Sequence, residues 1–280
     1  MGCSPLTERE ICAVVREVTD TEVEHYAEFG WVFMPRLVAP EFAAELLRVK
    51  EQLEQERGEP PGRRGGVARE GVEPHRSFIF SQRMEQNAKR LIDQKRLKGA
   101  DIALRYRVDT LNVRVPGQAG ARYHQDSAEH GSDRVGELQF WLALAEVTPE
   151  MGAMRFFDRS HKEGPLGAVL NGALDEHGEP LLDLLDQYPN LPSVLSLSDP
   201  LHYQPGDVTV HHGYCIHGSP VNSTERIRHS YLFSFTPADT RYFVPADSTT
   251  GSGGNHGSGR QQLGDESNPL LSRHGREARL

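Results

Sequence analysis

From Arg105 onward the chain is a succession of short strand-like segments separated by turn signals. Tyr106, Val108, Leu111, Val113 and Val115 alternate with polar residues and stop at Pro116-Gly117. An apolar run from Leu138 to Val147 ends at Thr148-Pro149-Glu150. Met154 to Phe157, Val208-Thr209-Val210, Tyr214-Cys215-Ile216 and Ser230 to Phe235 follow in the same style. Strands this short bury their apolar residues only by pairing, so the pattern predicts a β-barrel or sandwich. The N-terminal part is helical in spacing. Residues 5–20 carry Ile11, Val14, Val15 and Val18 on one stripe, with Thr7 and Glu10 spaced as a capping box. A short helix over 22–29 is stopped by Gly30, and Trp31 to Met34 reads as a strand. Pro40 opens a helix to about Arg57, with Phe42, Leu46, Leu47 and Leu53 on its apolar side, and 84–98 return to helical composition. The expected class is mainly β with flanking α.

Segments 1–246 read as one domain. Within it, the Pro-, Gly- and Arg-rich stretch 58–76 predicts a long lid-type loop. Residues 171–200 read as an insertion with a helix near Leu181–Leu185, and 247–280 as a flexible linker and tail. The net charge of −9, from 31 basic and 40 acidic residues, argues against general affinity for nucleic acid or anionic membranes. The basic stretch Gly62 to Gly66 is too short to reverse that. Cys3, Cys12 and Cys215 give no disulfide framework. No apolar run reaches the roughly 18 residues of a membrane span. The N-terminus lacks a signal-peptide layout, and Leu6 stands where an acylation start needs Ser or Thr. The expectation is a cytoplasmic protein, monomer or weak homodimer, acting on a small molecule.

Chemistry concentrates in Tyr123-His124-Gln125-Asp126. On a strand, residues two apart share a face, so His124 and Asp126 are expected to aim at one point while Gln125 faces away. His217, on another predicted strand just before Gly218-Ser219-Pro220, is the best third ligand. Two histidines and a carboxylate on one side of a metal leave three open positions, the facial triad of non-haem iron(II) oxygenases. Such chemistry with 2-oxoglutarate also needs a cation for the cosubstrate's far carboxylate. Arg228 and Arg226 both supply a guanidinium suited to a two-point grip. The adjacent His211 and His212 point to opposite faces of a strand and cannot both bind one metal. His202 and His229 are read as structural or surface residues, and Cys215 as a small packing residue.

At these motifs the sequence resembles the phytanoyl-CoA dioxygenase family, a branch of the iron(II)/2-oxoglutarate oxygenases. The resemblance runs from about residue 22 to 236. Its blocks are EHYAEFGWVFMPRLV (Glu24 to Val38), YHQD, LQFWLALAEVTPEMGAMRFFDRSHKEG (Leu138 to Gly164) and PGDVTVHHGYCIHGSPVNSTERIR (Pro205 to Arg228). It implies a double-stranded β-helix, of jelly-roll or cupin-like form, supported by the N-terminal helices. It implies Fe(II), 2-oxoglutarate and O2 as cofactor and cosubstrates, with His124, Asp126 and His217 as iron ligands. The family's spacing of eleven residues after the second histidine selects Arg228 over Arg226 as the 2-oxoglutarate anchor. Ser219 matches a position that hydrogen-bonds the same carboxylate, Trp141 an aromatic beside the cosubstrate, and Asn112 a further cosubstrate contact. Ser160 and His161 match a family hallmark read as a structural turn.

Halogenating relatives carry a small residue in place of the carboxylate ligand, so Asp126 implies oxygenation. The implied reaction is hydroxylation or oxidative cyclisation of a C–H bond in a small natural product, as in antibiotic biosynthesis. Acyl-CoA hydroxylation is the alternative within the class. A metal-dependent hydrolase or isomerase on a cupin-like barrel, and a non-catalytic binding protein, are the alternatives outside it.

Overall fold

The computed structural model describes residues 4–58, 60, 62, 64–92, 103–130, 136–166, 183–242 and 261–262. Two helices open the chain, α1 (Glu8–Val14) and α2 (Asp20–Phe29). Each starts at a threonine, Thr7 and Thr19, locked in a capping box with the glutamate three residues on. The single helix expected over 5–20 is therefore shorter. Val15 turns extended to pair with Val38, and the Val18 N–H goes to the Asn87 side chain at 3.0 Å. Then follow β1 (Trp31–Met34), α3 (Pro40–Arg57), β2 (Arg64–Gly65), α4 (His75–Ile79), α5 (Gln82–Leu91) and β3 (Leu104–Arg114). The second half holds α6 (Asp126–His130), β4 (Leu138–Ala143), β5 (Arg155–Phe156), α7 (Leu184–Gln187), β6 (Val208–His212), β7 (His217–Gly218) and β8 (Arg228–Pro237).

Six strands form one antiparallel sheet in the order β1-β6-β4-β8-β3-β2. Opposite it, β5 pairs with β7, and single bridges His124–His217 and Phe157–Leu197 widen this second layer. The layers meet where Trp31 of β1 stacks on Phe156 of β5, ring centroids 4.9 Å apart. This is a two-sheet jelly roll with the helices outside its larger sheet.

The large sheet is buried on both faces, which is why β4 reads as an unbroken apolar run. Strand alternation then divides its residues. Leu138, Phe140 and Leu142 join Val208, Val210 and Phe233 in the main core under the helices. Phe140 stacks on Phe233 at 5.1 Å, and Phe78 of α4 meets Phe233 edge-on at 5.4 Å. Each such ring contributes about 1.5–3 kcal/mol by leaving water. Trp141 and Ala143 point the other way, into the inner cluster.

Residues 58–76 depart from the lid expected of their composition. β2 pairs with β3, and Val67 and Ala68 are fully buried in the main core. Asp109 on β3 fastens the segment. Its carbonyl accepts the Gly66 N–H at 2.8 Å and its carboxylate the Ala68 N–H at 3.2 Å. Tyr214 to Ile216 form a turn rather than a strand, and the strand begins at His217. The helix expected near Leu181–Leu185 is seen at α7, while 167–182 lie outside the described residues. So does the expected linker and tail over 247–280, except for 261–262, which pair with Arg241–Tyr242. No helix among the described residues is long and apolar enough to cross a membrane.

His75 yields a pH prediction. It is fully buried at the start of α4, edge-on to Tyr231, and burial pushes its pKa down to about 3. The folded state thus refuses a proton that the unfolded chain accepts below about pH 6.5. Stability is expected to fall by up to about 1.4 kcal/mol per pH unit from there down towards pH 3. Urea unfolding across that range should show a shallower slope, by one proton, in His75→Leu. An unchanged slope would refute the assignment.

Candidate metal centre

His124 and His217 are joined by their main chains. The His124 N–H donates to the His217 carbonyl at 3.0 Å, and the His217 N–H returns the bond at 3.1 Å. Residues that exchange both bonds stand directly opposite and share a face. The rings accordingly lie 4.3 Å apart. Each Nδ1 sits against a local carbonyl, that of Arg122 at 2.7 Å for His124 and that of Cys215 at 3.0 Å for His217. Those contacts put the proton on Nδ1 and turn each Nε2 lone pair towards one point. Asp126 faces that point, with Oδ1 3.5 Å from His124 Nε2 and Oδ2 3.7 Å from His217 Nε2. Ligand atoms of the three residues all lie within 4.8 Å of one another.

The protonation states suit a divalent cation. Burial opposes ionisation of Asp126, but the electrostatic pull of His217, then the close approach of His124 and His211, outweighs it. The carboxyl is held well below its usual range. Burial, with His211 beside it, keeps His217 well below the usual histidine range and so neutral. Two imidazoles and a carboxylate converging from one side match a facial donor set.

Asp126 does not sit on a strand, as alternation predicted. It is the first residue of α6, and the chain turns between His124 and Asp126 to bring both side chains to the centre. α6 is fastened where the turn after β6 passes it. The Ser127 N–H donates to the Gly213 carbonyl at 2.8 Å, and Ser127 Oγ donates to buried Glu137 at 2.9 Å. A side chain at Gly213 would place its Cβ 1.9 Å from Ser127 Oγ, so the close approach requires glycine. Gln125 faces away, as expected. Its amide donates to the carbonyls of Gly164 and Tyr214 at 2.9 and 2.8 Å and accepts the Leu166 N–H at 2.9 Å. The main chain of Tyr123 is bound on the other side, its N–H to Asp183 at 2.7 Å and its carbonyl to the Leu184 N–H at 3.2 Å.

Cross-strand register places the remaining candidates on the inner face. Trp141 stands between Leu232 and Thr209, Asn112 opposite Ser230, and Arg228 opposite Arg114. Arg228 is buried, its guanidinium carbon 5.5 Å from the centre of the Trp141 ring, and Nη1 donates to the Gly152 carbonyl. Its Nε has no hydrogen-bond partner, and among the described residues no carboxylate pairs with it. Burial, then the neighbouring charge of Arg114, pull its pKa down, and a guanidinium that stays charged there is poised for an anion. Arg226 is exposed and held by Glu146 at 2.9 Å, away from this face.

Sequence alone missed Arg114 and His211. Arg114 Nη1 donates to Ser219 Oγ at 2.9 Å and to the Pro220 carbonyl at 3.1 Å. Ser219 Oγ also accepts the Ala121 N–H at 3.1 Å, which leaves its own proton free to donate. His211 shares the inner face with Gln139 and Trp31, and its Nε2 lies 3.0 Å from Asp126 Oδ2. His212 points oppositely, as adjacent strand residues must. Ser160 is structural, accepting the Ile216 N–H at 2.8 Å and donating to the Phe157 carbonyl at 2.7 Å. His161 packs against Gly30, and His202 is an exposed partner of Glu146. Cys215 is fully buried, and burial pushes its thiol up to about 12, as suits a packing residue.

The sequence profile described as Phytanoyl-CoA dioxygenase matches residues 13–230. The chain is 24% identical over 230 residues to a methylphosphonate hydroxylase from Gimesia maris (strain ATCC 29201 / DSM 8797 / 534-30), covering 78% of this chain and 80% of that protein. Among solved structures it is similar to SnoK, a non-haem alpha-ketoglutarate-dependent carbocyclase from nogalamycin biosynthesis. The TM-score is 0.68 at 20% identity, over 96% of this chain and 100% of that one. The epimerase SnoN, solved with Fe3+, alpha-ketoglutarate and nogalamycin RO, gives 0.65 at 21% identity, over 90% and 98%. EctD from S. alaskensis, solved with 2-oxoglutarate and 5-hydroxyectoine, gives 0.61 at 15%, over 79% and 77%. These structural likenesses carry the fold, a double-stranded β-helix.

Gln125 supplies the prediction for this site. Its three hydrogen bonds tie the residue between His124 and Asp126 to 164–166 and to the turn at Tyr214. Gln125→Ala is expected to cost about 2–4 kcal/mol in urea unfolding, because it strands buried partners. Gln125→Glu should be at least as costly, since a carboxylate would face two carbonyl oxygens. A wild-type unfolding midpoint for the glutamate variant would contradict the role.

Proposed function

The chain belongs to the phytanoyl-CoA dioxygenase family of Fe(II)/2-oxoglutarate-dependent oxygenases, and from that premise we propose that it oxidises a C–H bond of a small natural product at a centre formed by His124, Asp126 and His217. One observation carries the residue assignment. A His-Asp-His donor set, its two histidines buried, stands opposite the inner face of the large sheet, which carries a buried arginine whose Nε lacks a partner.

Iron(II) bound there, with 2-oxoglutarate and O2, supplies the oxidising power, coupled to release of succinate and CO2. The protein's residues provide the placement. His124 and His217, oriented by their Nδ1 contacts, offer two nitrogen ligands, and ionised Asp126 offers an oxygen. Arg228 grips the far carboxylate of 2-oxoglutarate, and the free Ser219 proton donates to the same group. Arg114 and the Ala121 N–H hold that hydroxyl in its donating orientation. Trp141 backs the guanidinium and Asn112 lies on the same face beside the cosubstrate. Burial keeps water from this end of the site and strengthens each charged contact.

The relatives' printed activities are hydroxylation, carbocyclisation and epimerisation. They support hydroxylation or oxidative cyclisation within secondary metabolism, with antibiotic biosynthesis as the favoured setting. The reaction partner is a small molecule, and a monomer or weak homodimer in the cytoplasm remains our reading. A substrate panel of polyketide glycosides, amino-acid derivatives, alkylphosphonates and acyl-CoA thioesters, read by succinate release, tests the substrate class. Turnover without O2 and 2-oxoglutarate would favour a hydrolase or isomerase instead.

Two variants test the assignments. Asp126→Ala is expected to abolish succinate release and the visible charge-transfer band of the anaerobic iron–2-oxoglutarate mixture. Arg228→Leu should weaken 2-oxoglutarate by about 2–5 kcal/mol, on the order of 30-fold or more in half-saturation. Metal affinity should change little. Full turnover by Asp126→Ala would refute the ligand set, and unchanged 2-oxoglutarate dependence would refute the anchor.

A further inference from the structure

We propose that His211 is a positioning residue that restricts Asp126 to a single metal-facing oxygen. The inference rests on the reading of Asp126 as a ligand.

His211 comes from the middle of the large sheet, paired with Trp31 on one side and Gln139 on the other. The ring is fully buried, its centroid 4.1 Å from that of His217 and 5.4 Å from that of Phe156. It has little freedom to turn. Its Nε2 lies 3.0 Å from Asp126 Oδ2. An ionised carboxylate only accepts, so the proton of this bond is on His211 Nε2. The other nitrogen, Nδ1, is buried with no hydrogen-bond partner, and nothing there competes for the proton.

The consequence concerns denticity. A carboxylate can bind a metal through one oxygen or both. The His211 bond occupies Oδ2 and leaves Oδ1, on the His124 side, as the better donor. Single-oxygen binding preserves the three positions that 2-oxoglutarate and O2 require. With no donor at 211, both oxygens are free to bind and one of those positions is lost. Outer hydrogen-bond partners of this kind affect metal affinity by roughly 10–100-fold.

The test uses the full chain, anaerobic, with Co(II) as a spectroscopic metal, in wild type, His211→Phe, His211→Gln and Asp126→Ala. Thermal unfolding of each variant is recorded beside the titration. His211→Phe is expected to bind Co(II) roughly 10–100-fold more weakly. Its d–d spectrum should differ from wild type, and 2-oxoglutarate should perturb that spectrum less. His211→Gln keeps an N–H donor and should restore the wild-type spectrum, which a packing role would not explain. Should the phenylalanine variant fail to fold, the glutamine variant decides: a wild-type spectrum supports the proposal and an altered one overturns it. A His211→Phe protein with wild-type affinity and spectrum overturns the inference. So does one that loses metal as completely as Asp126→Ala, since His211 would then be a ligand. If Asp126→Ala itself binds Co(II) as wild type does, the ligand reading fails, and this inference with it.

Discussion

Everything in the site hangs on the reciprocal main-chain pair between His124 and His217. It is a single bridge, yet it fixes which way both rings point. A slip of one residue in either segment would turn a histidine to the opposite face. The pair is held from the far side as well. The Ile216 carbonyl accepts the Phe157 N–H at 2.9 Å, and Ser160 Oγ receives the Ile216 N–H. Asp126 needs a different device, because the chain leaves the strand after His124. The start of α6 and its bonds to Gly213 and Glu137 deliver the carboxylate to the place that two strand residues already define.

The large sheet separates two tasks. Its helix-facing side is almost wholly apolar and supplies stability by excluding water. Its inner side carries charge and hydrogen-bonding capacity in excess of what the fold satisfies. Arg114 and Arg228 face each other across β3 and β8, an arrangement that is unfavourable without an anion. Ser230, Ser234 and Gln139 Oε1 are likewise buried without partners. Such groups lower the stability of the free protein and make it receptive to ligands that complete them. The apolar outer face is what makes this tolerable.

Much of this was legible in the sequence, and the failures have physical causes. Local patterns sufficed where the structure is local. Thr7 with Glu10, Gly30 ending α2, Trp31 to Met34 as β1 and Pro40 opening α3 all follow from caps, turns and alternation. Alternation misplaced Asp126 because Asp-Ser-Ala-Glu-His carries helix-start composition that a strand reading ignores. Alternation separates His211 from His212, but the contact with Asp126 depends on a turn that no strand pattern predicts. Alternation puts just one of them on the face of Trp141. Arg114 has no local signal at all, since its meaning comes from lying opposite Arg228 more than a hundred residues away. Residues 58–76 look like a free loop by composition, but Val67, Ala68 and Asp109 bind them to the core.

Tyr123 and Gln125 flank His124 and hold, between them, residues 164–166 and 183–184. The two ends of the intervening chain are therefore tied to neighbouring points on rigid backbone. The entropy of closing a loop between fixed ends grows slowly, by only about 0.6 kcal/mol for each doubling of length. The tether between these two ends is therefore set at Tyr123 and Gln125, on either side of His124.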